Sequence, residues 1–322
     1  MKTCIRWLLC FVAACSVSVA NAQSYPSKPI LMVVPLAAGS SFDVVLRIIT
    51  QKMSENMGQQ IVVENLPGAA GMIGAERFMR AAPDGYTLAT FNDAVLTMVP
   101  NLRKKVPYDP IASFAPVGLM VNNSWTLAAH PSLPVKSVAE LIALAKAKPG
   151  EINYSSGGNG SPQHVAMELF QSMAGIKLTH VPYKGTTQAT LDVIAGQIPI
   201  MFSGTNAVVN QVRDGKLRAL ATGGATRAPL LPNVPTVAES GLPGYEFVTW
   251  MGIFAPANTP KEIIARVNAE LVRALAAPEL RERLAAQGVE IKPSTPEQLG
   301  ELTKARLAQM AKIIKDAGIH IE

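Results

Sequence analysis

The feature that most constrains the fold of this chain is a repeated alternation of short apolar runs with longer segments of helical spacing. Ile30–Val34 is an unbroken apolar run of strand length, which is typical of a parallel strand covered on both faces. Helical spacing follows over 42–57 and ends at Gly58, as expected for a helix C-cap. Strands at 61–63 and 86–90 and a helix at 74–81 continue the rhythm. The alternation predicts an α/β fold with a parallel sheet and right-handed crossovers.

The first 22 residues have the pattern of an export signal. Lys2 and Arg6 precede an apolar stretch over 7–19, and small residues at 20–22 form a cleavage pattern. An apolar run of about 13 residues is shorter than the roughly 20 needed to span a bilayer. We therefore expect cleavage after Ala22 and a soluble mature chain that begins near Gln23.

All three cysteines, Cys4, Cys10 and Cys15, lie inside this segment. The mature chain is therefore expected to have no disulfide, no thiolate nucleophile and no cysteine metal site. Residues 12–15 also resemble a bacterial lipoprotein signal. Lipidation at Cys15 therefore stays open as an alternative to cleavage after Ala22.

The net charge and the length of the chain limit the functions and the domain organisation that it can have. Without Lys2 and Arg6 the net charge falls from +6 to +4, and the remaining cationic residues are scattered rather than clustered. This pattern argues against nucleic acid as a partner. About 300 mature residues exceed what one hydrophobic core usually serves, so two lobes are expected. There is no cofactor fingerprint, and the four histidines lack metal-ligand spacing, so neither a cofactor nor a metal is predicted.

The strongest functional signal is a pair of glycine- and serine-rich loops, each followed at once by a predicted helix start. The first loop covers 37–41 before Phe42, and the second covers 155–161 before Pro162. A helix start offers free backbone N–H groups and a partial positive charge, which favour a bound anion. Two such loops, far apart in sequence, indicate two lobes that hold one anionic ligand.

Each loop also has a simpler structural explanation that the sequence leaves open. In the first loop, Gly39 with a positive φ and Ser41 as the helix cap would make a tight strand-to-helix turn. In the second, Ser161 before Pro162 is a natural N-cap, although a cap alone does not require glycines at 157, 158 and 160. Asp43 is expected to be structural, because a free carboxylate there would repel a second anion.

Signals for catalysis are weak. An exported hydrolase or lyase would use Ser156 or Ser161 with His164, but serine and histidine on one helical turn rarely align for proton transfer. Asp93 is an isolated carboxylate and a candidate for the cleft wall. The small-residue segment 67–74 lacks dinucleotide-binding spacing, and we expect it to let a helix approach the sheet or to form the cleft rim.

Later helix starts carry capping boxes and are expected to be scaffold. Ser137, Thr259 and Thr295 are each followed three residues later by Glu or Gln, which predicts reciprocal side-chain caps. The last two of these boxes begin helices predicted at 260–276 and 296–317.

Ordered motifs along the whole mature chain resemble those of Bug-type periplasmic solute-binding proteins, the receptors of tripartite tricarboxylate transporters. The motifs are 34–39 with Asp43, 64–71, 83–88, 156–161 with His164, 180–185, 217–221, 231–236 and 241–245. The resemblance implies a two-lobed α/β fold of the periplasmic-binding-protein class (Venus-flytrap, type II-like). It also implies a periplasmic monomer that holds a small carboxylate without a salt bridge. The expected partners are permease subunits or a sensor kinase.

The lobes and the site are predicted as follows. After the signal at 1–22, lobe 1 comprises 23–122 and 247–322 and lobe 2 comprises 123–246, with crossovers within 117–128 and 245–255. The predicted ligand-binding set is Leu36, Ala38, Gly39, Ser40, Ser41, Phe42, Asp93, Ser156, Gly157, Gly158, Asn159, Gly160, Ser161, Ser203 and Thr205.

Four residues depart from the pattern of the family it resembles. Leu36 replaces an expected aromatic residue, Ser40 a common second glycine, Phe42 a small polar residue and Gly157 a usual serine. More apolar surface and fewer hydroxyls near the cleft predict a ligand with one carboxylate and an apolar or aromatic body, rather than citrate.

Overall fold

The computed structural model describes residues 25–316, without the side chain of Ser41. The predicted export signal, the alternative lipidation at Cys15 and residue 317 of the last predicted helix lie outside this range. The chain is mixed α/β, and its strands form one sheet of six and one of five. The predicted two-lobed α/β fold is confirmed by the periplasmic binding proteins that share it, which are described below.

The six-stranded sheet has the order β11-β4-β10-β3-β1-β2. Its strands are β1 Ile30–Val34, β2 Ile61–Asn65, β3 Thr87–Asn92, β4 Phe114–Asn123, β10 Thr249–Pro256 and β11 Val289–Ile291. β1 pairs in parallel with β2 and β3, whereas β10 is antiparallel to both β3 and β4. β1 to β4 therefore run in one direction.

The five-stranded sheet has the order β7-β6-β8-β5-β9. Its strands are β5 Trp125–Ala129, β6 Asn153–Ser156, β7 Thr179–Pro182, β8 Ile200–Gly204 and β9 Arg218–Thr222. β6 is parallel to β7 and β8, whereas β5 is antiparallel to β8 and β9.

Helices cover both sheets. They are α1 Ser41–Met57, α2 Met72–Met79, α3 Val99–Leu102, α4 Val138–Ala147, α5 Pro162–Ala174, α6 Thr186–Ile194, α7 Thr205–Arg213, α8 Lys261–Ala276, α9 Pro278–Ala286 and α10 Pro296–Asp316. A 3₁₀ turn at Ala69–Gly71 and a π-helix at Ala94–Met98 complete the described elements. Within residues 25–316, no helix combines the length and the apolar character needed to cross a membrane.

The apolar run of β1 is explained by packing on both faces of the sheet. Ile30, Met32 and Val34 belong to a core cluster shared with α1 and α8, whereas Val33 belongs to a second cluster that contains Phe91. The predicted β1 is therefore confirmed, and the strands predicted at 61–63 and 86–90 are found with slightly different ends.

One of the three predicted capping boxes forms in full, because Thr295 and Gln298 cap each other reciprocally. At Ser137 only half of the box forms: Glu140 N–H donates to Ser137 Oγ at 3.2 Å, but the Glu140 carboxylate accepts from Lys136 N–H. The box at Thr259 is wrong: the Thr259 hydroxyl donates to the Pro256 carbonyl at 2.8 Å instead. Pro260 takes the N-cap position of α8, which removes Thr259 from the helix end.

The chain passes between the sheets at two places. Ser124 alone separates β4 from β5, and residues 223–248 separate β9 from β10. The two crossovers are connected by hydrogen bonds, because Trp125 Nε1 donates to Thr249 Oγ1 at 2.9 Å and Gly223 N–H donates to the Trp125 carbonyl at 2.8 Å. The lobe boundaries at 122/123 and 246/247 stay predictions.

Candidate functional site

Both glycine- and serine-rich loops lie at carboxyl ends of strands, on the side of each sheet where the crossovers connect the two sheets. The first loop leaves the carboxyl end of β1, which runs parallel to β4, and β4 ends at the first crossover. The second loop leaves the carboxyl end of β6, which is parallel to β8, and the last residue of β8, Gly204, pairs with Trp125 just after that crossover. In open α/β sheets, ligands bind outside the carboxyl ends of strands, so this junction is the candidate site.

The first loop is held by Asp43, as predicted. Asp43 is buried, and its carboxylate accepts from Gly39 N–H, Arg47 Nε and Asn65 Nδ2, each at 2.9 Å. Burial alone would raise the pKa of Asp43, but these hydrogen bonds and the Arg47 charge outweigh it and hold the pKa below its usual value. The Asp43 charge is thereby balanced within the first lobe.

The cap of α1 differs from the prediction. Gly39 has the expected positive φ of 74°, but the N-cap is Ser40, whose Oγ accepts from Asp43 N–H at 3.3 Å. Ser41 is the first helical residue instead. Helix geometry leaves the N–H groups of Ser41 and Phe42 without intrahelical acceptors, so they are the donors this loop offers.

The remaining predicted residues of the first loop divide into exposed and packed ones. Ala38 and Gly39 are exposed, whereas Leu36 and Phe42 are half-buried. Both Leu36 and Phe42 pack against the core cluster of the six-stranded sheet, so only part of each side chain is offered to a ligand.

The second loop is strongly cross-linked within itself. Ser156 Oγ lies 3.1 Å from both the N–H and the carbonyl of Gly158, and Ser161 N–H donates to the same carbonyl. Gly160 N–H donates to His164 Nδ1 at 3.2 Å, and Ser161 caps α5 by accepting from His164 N–H, as predicted. The N–H groups of Asn159 and Gln163 take part in none of these contacts.

Gly157 is required by the start of α6. A side-chain carbon at this position would lie 2.8 Å from Thr186 Oγ1 and 3.2 Å from Thr186 N. Thr186 also accepts a hydrogen bond from Gln163 Nε2 at 2.9 Å, which fixes it beside the loop. The glycine at a position where serine is usual therefore reflects close packing.

His180 lies beside the second loop but is absent from the ligand-binding set predicted from the sequence. Its Nε2 lies 2.6 Å from Ser156 Oγ, and its ring stacks between those of Tyr154 and His164. Burial and the neighbouring His164 lower the pKa of His180 to about 4, and burial lowers that of His164. Strand register would have indicated this contact, because parallel pairing of β7 with β6 places His180 beside Tyr154.

The serine–histidine arrangement of the alternative enzyme hypothesis does not form. Ser156 pairs with His180 rather than with His164, and Ser161 Oγ accepts from the backbone of His164 rather than facing its ring. Over residues 25–316, no group of three or more His, Cys, Asp or Glu side chains is placed to hold a metal ion.

Asp93, Ser203 and Thr205 are fully buried. Asp93 Oδ2 lies 3.8 Å from Arg306 Nε on α10, and burial raises the pKa of Asp93 to about 7 against the opposing effect of Arg306. Thr205 Oγ1 is 2.9 Å from Thr126 Oγ1, whereas Ser203 Oγ has no hydrogen-bond partner among the described residues. Their roles in ligand contact stay predictions.

Comparison with known families decides the class of this protein. The sequence profile of the tripartite tricarboxylate transporter family receptor, TctC, matches residues 45–319. The chain belongs to the TctC family. The resemblance to Bug-type receptors is confirmed by the same match and by a Bug protein among the solved structures.

Three solved structures are similar to this TctC-family chain over nearly their whole length. The periplasmic binding protein BugD is 34% identical with a TM-score of 0.85, and the alignment covers 92% of this chain and 100% of BugD. Rpa4515 of R. palustris with adipate is 32% identical, with a TM-score of 0.88 and coverage of 92% and 99%. MatC of Rhodopseudomonas palustris with bound malate is 32% identical, with a TM-score of 0.84 and coverage of 90% and 100%.

These relatives settle the general role of the TctC-family chain. The family and its structural neighbours are binding proteins and not enzymes, so the chain is a solute-binding protein. The prediction of a binding role over a hydrolase or lyase is therefore confirmed. The family is one of periplasmic binding receptors, which assigns the chain to the periplasm.

Proposed function

We propose that this protein captures a small carboxylate in the cleft between its two sheets and delivers it to the permease subunits of a tripartite tricarboxylate transporter. The main support for this proposal is the placement of two long helices, α1 and α5. Both helices start on the side of the sheets where the crossovers connect them. Adipate and malate, bound by two similar proteins, are both carboxylates.

A carboxylate in this cleft would be held by backbone donors and not by an ion pair with the loops. Neither loop contains Lys or Arg. The N–H groups of Ser41 and Phe42 on one side, and of Asn159 and Gln163 on the other, remain for the ligand. The internal bonds to Asp43 and His164 hold these donors in place before binding, which lowers the entropic cost of binding.

The same topology supports closure by a hinge. Among the described residues, the strands of the two sheets are connected along the chain at Ser124 and at residues 223–248, and loop or terminal residues of this kind absorb the backbone rotation of domain closure. The last turns of α10 also reach the core of the five-stranded sheet through Met310 and Ile314. Closure would bring both helix starts onto one carboxylate. The lobe division at 122/123 and 246/247 belongs to this proposal.

The finer features of the ligand and of its delivery also remain part of the proposal. The exposed parts of Leu36 and Phe42 support an apolar or aromatic body beside the carboxylate. The family description favours a permease over a sensor kinase as the partner. The proposal also includes export, with either cleavage after Ala22 or lipidation at Cys15. It includes a monomeric state as well.

A thermal-shift screen of the mature chain against mono-, di- and tricarboxylates and aromatic acids tests the proposal. The protein is first unfolded and refolded to remove any co-purified ligand. A ligand at about 100 times its dissociation constant stabilises by roughly 2.7 kcal/mol, which raises the melting temperature measurably. Saturable binding without turnover is the expected result. If no acid moves the melting temperature of the refolded protein, the proposal is wrong.

A further inference from the structure

His164 accepts a hydrogen bond from the second loop through a ring nitrogen that must be free of a proton. Gly160 N–H donates to His164 Nδ1 at 3.2 Å. An imidazole nitrogen accepts only while it is unprotonated, so the neutral ring carries its proton on Nε2. Protonation at Nδ1 would turn a second N–H toward Gly160 N–H. The hydrogen bond between the ring and the loop therefore exists only while His164 is neutral.

The loop segment beside this hydrogen bond is built on two glycines. Gly158 and Gly160 have φ values of 120° and 79°, in the left-handed region that favours glycine. A glycine backbone gains many conformations once its hydrogen bonds are lost. Asn159 N–H, one of the donors that the second loop keeps for the ligand, lies between these glycines. The contact with His164 thus restricts the segment that presents this donor.

The immediate surroundings of His164 favour its neutral ring. His164 is 7% exposed, and its ring stacks on that of His180 with centroids 4.1 Å apart. Glu168 Oε1 lies 3.9 Å from His164 Nε2. That oxygen already accepts from Tyr154 Oη at 2.5 Å and from Gln171 Nε2 at 2.7 Å. Burial outweighs the Glu168 charge and lowers the pKa of His164.

The other charged groups on the elements packed around α5, β6 and β7 have partners or are exposed. Asp192 on α6 accepts from Tyr183 Oη and Gln188 Nε2. Asp93, just before the π-helix, and Arg306 on α10 form a buried pair. The remaining charged side chains of α10, and those of α4, are exposed. Burial raises the pKa of Asp93 to about 7, so the variants used below leave Asp93 in place.

We infer that His164 is a positioning residue whose neutral ring holds the second loop in its binding shape, so that the protein binds its carboxylate tightly at neutral pH and releases it at mildly acidic pH. The inference rests on the proposed function and deepens it. Protonation breaks the hydrogen bond with Gly160, the glycine backbone relaxes, and Asn159 N–H is no longer held in one direction. Because the ligand prefers the neutral form, binding expels the proton that the free protein has taken up.

Amide NMR of the refolded mature protein tests the first step without ligand. As the pH is lowered from about 7.5 to about 5, the Gly160 amide is expected to shift with the same midpoint as the His164 ring. In His164→Asn, the amide Oδ1 can replace Nδ1 as the acceptor and does not titrate, so this shift is expected to disappear. A wild-type Gly160 amide that does not follow the His164 ring overturns the inference, whichever acid the protein binds.

Calorimetric titration at about pH 7.5 and about pH 5 tests the second step. The probe is the acid that gives the largest thermal shift in the screen above, which includes adipate and malate. Both proteins meet the same ionisation state of the acid at each pH. The loss of affinity on acidification is therefore expected to be at least about threefold larger in the wild type than in His164→Asn.

Two further variants separate positioning from general stability. His164→Phe keeps a stacked ring without an acceptor, and it is expected to bind more weakly than His164→Asn at both pH values. His130→Asn, outside the second loop, is the control and is expected to keep the wild-type loss of affinity. Circular dichroism and the melting temperature establish that each variant is folded. If His164→Phe fails to fold, the wild type and His164→Asn carry the test.

The outcomes distinguish this inference from the proposed function. Equal losses of affinity in the wild type and His164→Asn, or tighter binding by the wild type at the lower pH, overturn the inference and leave the proposed function standing. Binding of no acid at either pH overturns the proposed function and the inference with it.

Discussion

The imidazole rings of His164 and His180 stack face to face, with centroids 4.1 Å apart and planes 8° from parallel. Each ring contacts the second loop: His164 Nδ1 accepts from Gly160 N–H, and His180 Nε2 lies 2.6 Å from Ser156 Oγ. Burial lowers the pKa of both rings, and the neighbouring ring lowers that of His180 further. The neutral form of the pair therefore maintains the shape of the loop.

Stability is expected to fall as the pH is lowered from about 6.5 to about 4. His180 has its folded-state pKa depressed from 6.5 to about 4, so in this window the unfolded chain binds a proton that the folded chain does not. Unfolding then takes up protons, and acid favours it. Above pH 6.5 this contribution to stability is fully present. Urea unfolding across the window measures the slope of stability against pH.

A non-titrating variant isolates this contribution. His180→Asn is expected to show a shallower slope than the wild type, and His130→Asn, outside the stacked pair, to keep the wild-type slope. Equal slopes for the wild type and His180→Asn would contradict the assignment of this pH dependence to the stacked pair.

Asp43→Ala is expected to destabilise the protein by about 1–3 kcal/mol, because Gly39 N–H loses its acceptor and Asn65 Nδ2 loses one of its two acceptors. It should also weaken carboxylate binding, since the first loop loses its internal support. Chemical denaturation and ligand titration measure the two effects. Asp214→Ala, an exposed carboxylate at the end of α7, is the control, with an expected change within about 0.5 kcal/mol. Similar losses in both variants would contradict this role of Asp43.

Gly157→Ser is expected to cost about 1–3 kcal/mol, because the new side chain overlaps Thr186. Thr186→Ala removes the hydroxyl that the serine would meet. The double variant should therefore be more stable than the sum of the two single changes predicts. A double-mutant cycle on the free energy of unfolding measures this coupling. Strict additivity would mean that the two positions do not clash.

Arg306→Met is expected to destabilise the protein by about 1–3 kcal/mol, because it removes the positive neighbour of the fully buried Asp93 and the donor to the Val248 carbonyl. The raised pKa of Asp93 limits the loss, because the carboxyl can take up a proton. Asp93→Asn in the same chain removes the buried charge and should recover part of the loss. Denaturant unfolding of the single and double variants measures both effects. A double variant no more stable than Arg306→Met alone would contradict the electrostatic explanation.

Local sequence patterns predicted the parts of this molecule that depend on local physics. The apolar run of β1, the caps at Ser137 and Ser161 and the positive φ of Gly39 follow from side-chain burial and from hydrogen bonds within a few residues. The predicted box at Thr259 does not form, although its spacing is correct, because the Thr259 hydroxyl donates to the Pro256 carbonyl.

The missed contacts join residues that no local pattern connects. Ser156 and His180 meet because β6 and β7 pair in parallel, and Asp93 meets Arg306 because α10 packs beside the π-helix. Such pairs depend on strand order, which the sequence of one chain does not specify by spacing alone.

The central claim is that the two loops hold a carboxylate, and a titration with an acid and its primary amide tests it most directly. The acid that stabilises the refolded protein most is titrated calorimetrically, followed by the neutral amide of the same skeleton. We predict saturable one-to-one binding of the acid and binding of the amide that is at least about tenfold weaker, because the helix starts favour a negative charge. Equal affinity for the acid and the amide would contradict the account.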